Sequence, residues 1–458
     1  MLRPFARFSA SLGRTVRSIG ALESRNFRIF LLGQFVSLCG TWIQNVALAW
    51  LVLTITNSTL QTGLVTTLGA LPVLLFTLYG GVIADRVNKR RWLIVLQTLF
   101  LVEAIVLWVL SVTGTITVGW IYVLAAATGT VSAFEIPIRQ AFLVEMVGKS
   151  NLMSAIALNS SAFNLSRVVG PALAGVISAA FGPAACFLVN AVSFAAVLIG
   201  LYRIDASGIT APGRRRAGDR AGVDHVLGLR LPRALVTMTT MVTLFGASLV
   251  AILPAFAGKD LETQVGGYGG LMASFGVGAA LGALTLAAMG GRFPRERVAF
   301  VAGVGLGISL LLLGTVHVYS AAVVFLVLIG LCMAMNAIMT NTILQTSAPD
   351  HIRGQVVGLY SFIVIGLAPF GSAQASWVGE RFGAAAAIAF GGAVVLVAAL
   401  LISWRMGVFR RGAVAGASLR PTGEFPVPDS AFRSAESSGP DGPLRTTGER
   451  PLPEGGER

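Results

Sequence analysis

The amino-acid sequence predicts an all-α membrane protein whose twelve transmembrane helices form two six-helix pseudo-repeats. Three observations carry that reading: long apolar stretches recur along the chain, basic residues gather on alternate connections, and one residue register returns about two hundred positions later. Of 458 residues, 55% are hydrophobic and only 12% charged, and mean hydropathy is +0.78. Soluble domains carry roughly 25% charge, so no water-soluble core accounts for this composition. A bilayer core of ~30 Å is crossed by about 20 helical residues at ~1.5 Å each. Lipid offers the backbone no hydrogen-bond partner, which makes these stretches helices.

The first set of spans covers residues 27–53, 61–84, 92–112, 117–138, 154–180 and 184–203. The second covers 234–257, 265–289, 298–315, 319–341, 354–378 and 384–404. The chain thus divides into a basic arm (1–26), a six-helix half (27–203), a central loop (204–233), a second half (234–404) and a tail (405–458). Leu2, Phe5, Leu12, Val16 and Ile19 give the arm one apolar helical face, which suits an interfacial helix or an unstructured juxtamembrane segment. No apolar stretch ending in a small-residue cleavage site follows it, so it does not read as a signal peptide. The central loop carries Arg214, Arg215, Arg216 and Arg220 among Pro and Gly, and the Gly, Pro and Ser of the tail predict disorder.

The net charge of +14 sits in the connections, which argues against a nucleic-acid partner. Arg3 to Arg28, Arg86 to Arg91, Arg139, Lys149, the central loop, Arg292 to Arg297, Arg353 and Arg405 to Arg411 all fall on one side, against Lys259 and Arg381 on the other. Lys and Arg stay on the cytoplasmic side of short loops, so both termini are predicted cytoplasmic in the cell membrane. Cys39, Cys186 and Cys332 lie singly in apolar runs, as packing residues and not as metal or redox groups.

Phe181-Gly182 returns as Phe382-Gly383, and the same offset takes Gly129 to Gly330, Leu158 to Leu359, Ser160 to Ser361 and Gly170 to Gly371. Arg86 and Arg91 align with Arg292 and Arg297 at an offset five residues longer. The halves differ in charge: Asp85 maps to Gly291, Glu103 to Ser309, Glu135 to Asn336, Arg139 to Thr340 and Arg167 to Ala368. An ionised side chain at mid-bilayer costs at least ~2.5 to 3.5 kcal/mol, so proton-handling groups are expected in the first six helices.

Gly81-Val-Ile-Ala-Asp85-Arg86-Val-Asn88-Lys89-Arg90-Arg91 resembles the signature of the loop between helices 2 and 3 in the major facilitator superfamily. It departs at Asn88, where the family usually has Gly, and at Lys89, where Arg is commoner; Asn tolerates a left-handed turn better than most residues. The resemblance implies the major facilitator fold and a cytoplasmic latch at Gly81, Asp85, Arg86, Lys89 and Arg90. A basic loop without a gating role is the plainer reading. Phe134-Glu135-Ile-Pro137-Ile-Arg139-Gln-Ala141 is similar to the exporter branch that includes enterobactin exporters and transmembrane secretion effectors. Glu135 and Arg139 have the order that favours a helical ion pair, though Pro137 can distort the turn. The resemblance implies either a charge network of Asp85, Lys89 and Glu135 that couples protonation to gating, or a static ion pair. Gly170-Pro171, with Gly175, resembles the antiporter motif of helix 5, where Gly allows close approach and Pro allows a bend.

Arg167, near mid-span, requires a counter-charge, a wet cavity or an anionic substrate. Glu103 interrupts the third span; a carboxylate in low dielectric disfavours its charged form, which makes it a proton site, or else it faces a polar partner without titrating. Gln34, Gln44, Asn45, Asn159, Asn164, Asn336 and Gln374 suit a cavity lining, or interhelical hydrogen bonds. Gly148-Lys149-Ser150 lacks the first glycine of a phosphate-binding loop, and His225, His317 and His351 are scattered. Asn57-Ser58-Thr59 is a formal glycosylation sequon.

The resemblance spans residues 24–406 and implies a secondary transporter, not an enzyme, working by alternating access. Proton-coupled efflux of a drug-like, siderophore-like or secondary-metabolite compound is the expectation, with uptake or facilitated diffusion as the alternative. A receptor is disfavoured because no loop is long enough for an extramembrane domain. The expected partners are a small molecule and the bilayer, with no cofactor or metal, the proton gradient as energy source, and a functional monomer. Topology reporters fused at Arg90 and at Arg215 should emerge on the same side of the membrane, and opposite sides would overturn the arrangement.

Overall fold

Hydroxyl and amide side chains mark where the apolar stretches start as helices. Ser24, Ser58, Asn88 and Thr117 each accept a hydrogen bond from a backbone N–H three residues on, which satisfies a donor that the first turn leaves free. The computed structural model describes residues 20–205, 228–290, 292–348 and 352–407. Most of the predicted arm, central loop and tail therefore lies outside the described residues. A short 3₁₀ turn, Gly20–Glu23, leads into the first helix.

Twelve helices are long and apolar enough to cross a bilayer. They are α1 (Arg25–Thr56), α2 (Thr59–Ala84), α3 (Lys89–Val112), α4 (Val118–Gly148), α5 (Asn151–Phe181) and α6 (Pro183–Arg203). The second half holds α7 (Arg230–Asp260), α8 (Val265–Met289), α9 (Arg295–Leu313), α10 (Tyr319–Ser347), α11 (Gln355–Phe382) and α12 (Ala384–Arg405). All regular structure among the described residues is helical. Two helices run well past the expected ends: α4 continues from 138 to Gly148 and α10 from 341 to Ser347. Hydropathy stops where lipid stops, whereas a helix stops where its backbone bonds do. Gly148, at φ 67°, breaks the path between α4 and α5.

The internal repeat is visible as repeated contacts. A methyl group on Gly129 of α4 would collide with the Gly69 carbonyl of α2, and one on Gly330 of α10 would collide with the Phe275 carbonyl of α8. Gly129 and Gly330 are partners at the shorter offset, Gly69 and Phe275 at the longer, so the same crossing is built twice. Gly182 and Gly383 occupy equivalent turns at φ 81° and 92°, a region a side chain disfavours. One difference was not expected: α7 contains π-helical turns at Val242–Gly246 and Phe256–Asp260, and α11 one at Phe362–Gly366. Their counterparts α1 and α5 have none.

The face carrying Arg25, Arg86, Arg203, Arg230 and Arg405 is called here the basic face. The halves join towards the opposite face. There, α5 crosses α8 where Gly175 meets Gly266 and Gly269, Trp50 of α1 stacks on Tyr268 of α8 at 6.0 Å, and Gly63 of α2 abuts Ser376 of α11. The Glu380 carboxylate of α11 caps α2, accepting from Thr59 N (2.7 Å), Leu60 N (3.1 Å) and Ser58 Oγ (3.0 Å). A carboxylate on free amides of a helix N-terminus is a charge-assisted contact with the favourable end of the helix dipole. Lys259 of α7 donates to the Asn57 carbonyl that ends α1 (2.8 Å), and Arg381 lies over Trp377 at 5.5 Å. The two cations that depart from the charge asymmetry thus stand at this closure, one of them bridging it.

Towards the basic face the pattern changes. The segment Leu249–Ala255 packs on α1 and α2 and Ala368–Phe382 on α2, whereas Arg230–Met241 and Arg353–Ser361 pack within their own half. Tyr360, for example, donates to the Ala337 carbonyl of α10. Among the described residues, these contacts join the halves at the opposite face, while the segments at the basic face keep to their own half. Replacing Glu380 by Ala should loosen the closure by ~1 kcal/mol, the net value of exposed hydrogen bonds. In a variant lacking the native cysteines, a reporter cysteine at the buried Ser376 should then react several-fold faster with maleimide, and an unchanged rate would show that the cap does not hold the closure.

Candidate functional site

Between α1, α2, α3 and α4 of the first half and α7 and α8 of the second lies a cavity of about 400 Å³. Its polar lining is Thr41, Gln44, Asn45, Thr62, Thr66, Glu103, Thr128 and Ser132, and its apolar lining includes Trp42, Val250, Tyr268 and Met272. Glu103 is the charged group in this lining. The Gln44 amide donates to both of its oxygens at 3.1 Å, Asn190 of α6 donates to Gln44 Oε1 at 2.8 Å, and Ser193 donates to Asn190 Oδ1 at 3.0 Å. Gly40 makes room for this chain, since a methyl there would collide with Ser193 and crowd Asn190. The network ties α3, α1 and α6 together and ends at the cavity wall. Protonation of Glu103 would remove an acceptor from the Gln44 amide, so a proton arriving there changes contacts on two other helices.

Glu135 and Arg139 form the expected ion pair on α4 at 2.8 Å, with Pro137 inside the same helix. Pro137 packs beside Gly80 of α2. Lys89, however, is bound to neither Asp85 nor Glu135. It pairs with Glu145 of α4 at 2.6 Å, and the two side chains are only 8% and 7% exposed. Glu145 drew no attention in the sequence because α4 was expected to end before it. Asp85 and Arg86 are exposed at the end of α2, and Gly81 has open space beside it. In this arrangement, then, the Asp85, Lys89 and Glu135 network is not assembled. Arg90 donates to the carbonyls of Leu201 and Tyr202, both at 2.8 Å, and so caps α6. Asn88 corrects another expectation: its φ of −72° is not left-handed, and its side chain instead caps α3 through Arg91 N.

Arg167 lies over the rings of Trp42 (5.8 Å) and Phe275 (5.4 Å), one from each half, and makes neither an ion pair nor a side-chain hydrogen bond with a described residue. Cation–π contacts contribute ~0.5 to 2 kcal/mol each, while a charge at mid-bilayer costs ~2.5 to 3.5 kcal/mol on insertion scales and more without water. The rings alone barely offset that cost. Gly170 sits against Trp42 and the Cys39 carbonyl, and Gly175 and the Pro171 carbonyl against α8, so this motif packs α5 between the halves. Its backbone keeps helical dihedral angles, with Pro171 inside the helix.

Of the seven residues expected to line a cavity, Gln44 and Asn45 do so here. Asn336 is buried and donates to the Ala299 carbonyl, and Asn164 donates to Ser160 of its own helix. Gln34 is buried elsewhere on α1, the Asn159 Oδ1 is buried without a partner, and Gln374 lies on α11 outside the lining. Sequence reading missed the hydroxyl pairs Thr62/Thr66 and Thr128/Ser132, each one helical turn apart, and that spacing was the available signal.

The profile of the family described as transmembrane secretion effector matches residues 17–441. Among curated proteins, the staphyloferrin A transporter of Staphylococcus aureus is 28% identical over 78% of this chain and 90% of its own. The multidrug efflux pump Tap of Mycolicibacterium fortuitum is 25% identical over 75% and 86%. A solved bacterial homologue of the human lysosomal transporter Spinster, inward-facing and unoccupied, superposes with a TM-score of 0.62 at 13% identity, covering 84% of this chain and 96% of that one.

The Lys89 and Glu145 pair gives a direct test of burial. Lys89→Met should destabilise the protein by about 3–5 kcal/mol by stranding a carboxylate, and the double variant with Glu145→Leu should recover most of that in thermal unfolding. Additive losses would mean that the pair is solvated.

Proposed function

Because the chain belongs to the transmembrane secretion effector family of major facilitator transporters, we propose that it exports a small amphipathic compound from the cytoplasm in exchange for inward protons. The observation that carries this reading is Glu103, an acid buried in the first half, held by Gln44 and opening onto the cavity between the halves. With the basic face assigned to the cytoplasm by its charge, that side admits substrate from within, and the Glu380 and Lys259 contacts close the exterior. Alternating access then requires those contacts to part while Asp85 finds partners on the second half.

Glu103 exchanges a proton for substrate in this cycle. A protonated Glu103 releases part of its hold on Gln44, and loss of the proton to the cytoplasm restores it. One inward proton supplies ~2.3 kcal/mol per 100 mV and ~1.4 kcal/mol per pH unit, together enough to sustain roughly a 500-fold gradient of a neutral compound. The named relatives, a staphyloferrin A transporter and a multidrug efflux pump, favour compounds of this size over ions or macromolecules. Glu135 with Arg139 serves as a second, positioning pair beside the α2 end.

Everted vesicles from overproducing cells, screened against a library of amphipathic compounds, should accumulate at least one of them when respiration acidifies the lumen. Glu103→Gln should reduce that accumulation to the level of vesicles lacking the protein while leaving exchange of unlabelled for labelled compound intact. Undiminished accumulation by Glu103→Gln would remove this residue from the coupling step, and accumulation in right-side-out vesicles alone would reverse the direction.

A further inference from the structure

Each other charge near the middle of the first half is answered by a neighbour. Glu103 is held by Gln44, and Glu135 by Arg139. Arg167 is the exception: the groups that face it from α1 and α8 are the rings of Trp42 and Phe275, which supply neither an acceptor oxygen nor a negative charge. Its five N–H donors are planar and forked, a geometry that matches a carboxylate with two parallel hydrogen bonds. Trp42 also lines the cavity, and Met272, one helical turn from Phe275 on α8, lines it too. Arg167 itself stands outside that lining, and the Trp42 ring it lies over is the side chain that connects it to the cavity. The repeat places the uncharged Ala368 where a second such cation would stand.

We propose that Arg167 is the anchor for a negatively charged group of the transported compound, which makes the substrate class an amphipathic anion: a carboxylate or similar planar oxyanion joined to an aromatic or apolar body. The body lies along Trp42, Tyr268 and Met272, and the oxyanion completes the coordination of Arg167. Occupation neutralises a charge held between α1, α5 and α8 at the contact the two halves share. This inference rests on the transport reading but fails separately from it, because binding to the purified protein in detergent needs no gradient and no direction.

The probe is 2-naphthoate, with 2-naphthamide as its uncharged isostere, titrated into the purified full-length protein and followed by equilibrium dialysis. Naphthoate should bind at least tenfold more tightly than naphthamide. Arg167→Gln should bring the two affinities together, and Arg167→Lys should keep part of the difference. Size-exclusion profiles of the variants exclude misfolding as the cause. Equal affinities in the unaltered protein, no saturable naphthoate binding, or an unchanged preference in Arg167→Gln would each overturn the assignment.

Discussion

A hydrocarbon interior offers no partner to a polar group, and the architecture of this transporter follows from that constraint. Backbone amides satisfy themselves by helix formation, which leaves side chains as the means by which helices recognise one another. Where two backbones cross, glycine lets carbonyls approach, as at Gly129 and Gly330. Where a charge enters, it brings a partner into register. Lys89 draws α3 to α4 through Glu145, and Glu103 draws α3 to α1 through Gln44. The first half is thus held by polar ties that the second half, with Ser309, Asn336 and Thr340 at the corresponding positions, makes with neutral groups or does without.

That difference divides the labour between two bundles of similar outline. The first half carries the acid that opens onto the cavity, the cation at the seam and the buried ion pairs. The second supplies an aromatic wall through Tyr268 and Phe275, and the carboxylate that closes the far side. The cavity is therefore lopsided, with its polar surface drawn chiefly from α1 to α4.

Much of the fold was legible in the residues because length, hydropathy and loop charge act through lipid, a nearly uniform solvent. The span Val265–Met289 fell where its apolar run begins and ends, while α4 and α10 outlasted theirs because helix geometry continues beyond the hydrocarbon. The site was less legible. Polarity alone does not say which way a side chain faces, so Gln44 and Asn336 read alike although one lines the cavity and the other ties two helices of one half. The partner of Lys89 was hidden for a related reason: an ion pair between helices depends on their relative rotation, which no linear spacing encodes. The pairing of Glu135 with Arg139, being local to one helix, was visible.

The wide turns in α7 and α11 have a consequence for how the halves correspond. Ser160 to Gly170 and Ser361 to Gly371 contain equal numbers of residues, yet the second interval includes five residues wound as a π-helix. Equal counts on unequal screws end at different azimuths, so homologous positions beyond the wide turn aim at different neighbours. Two copies of one ancestral ribbon can in this way present dissimilar walls without gaining or losing a single codon.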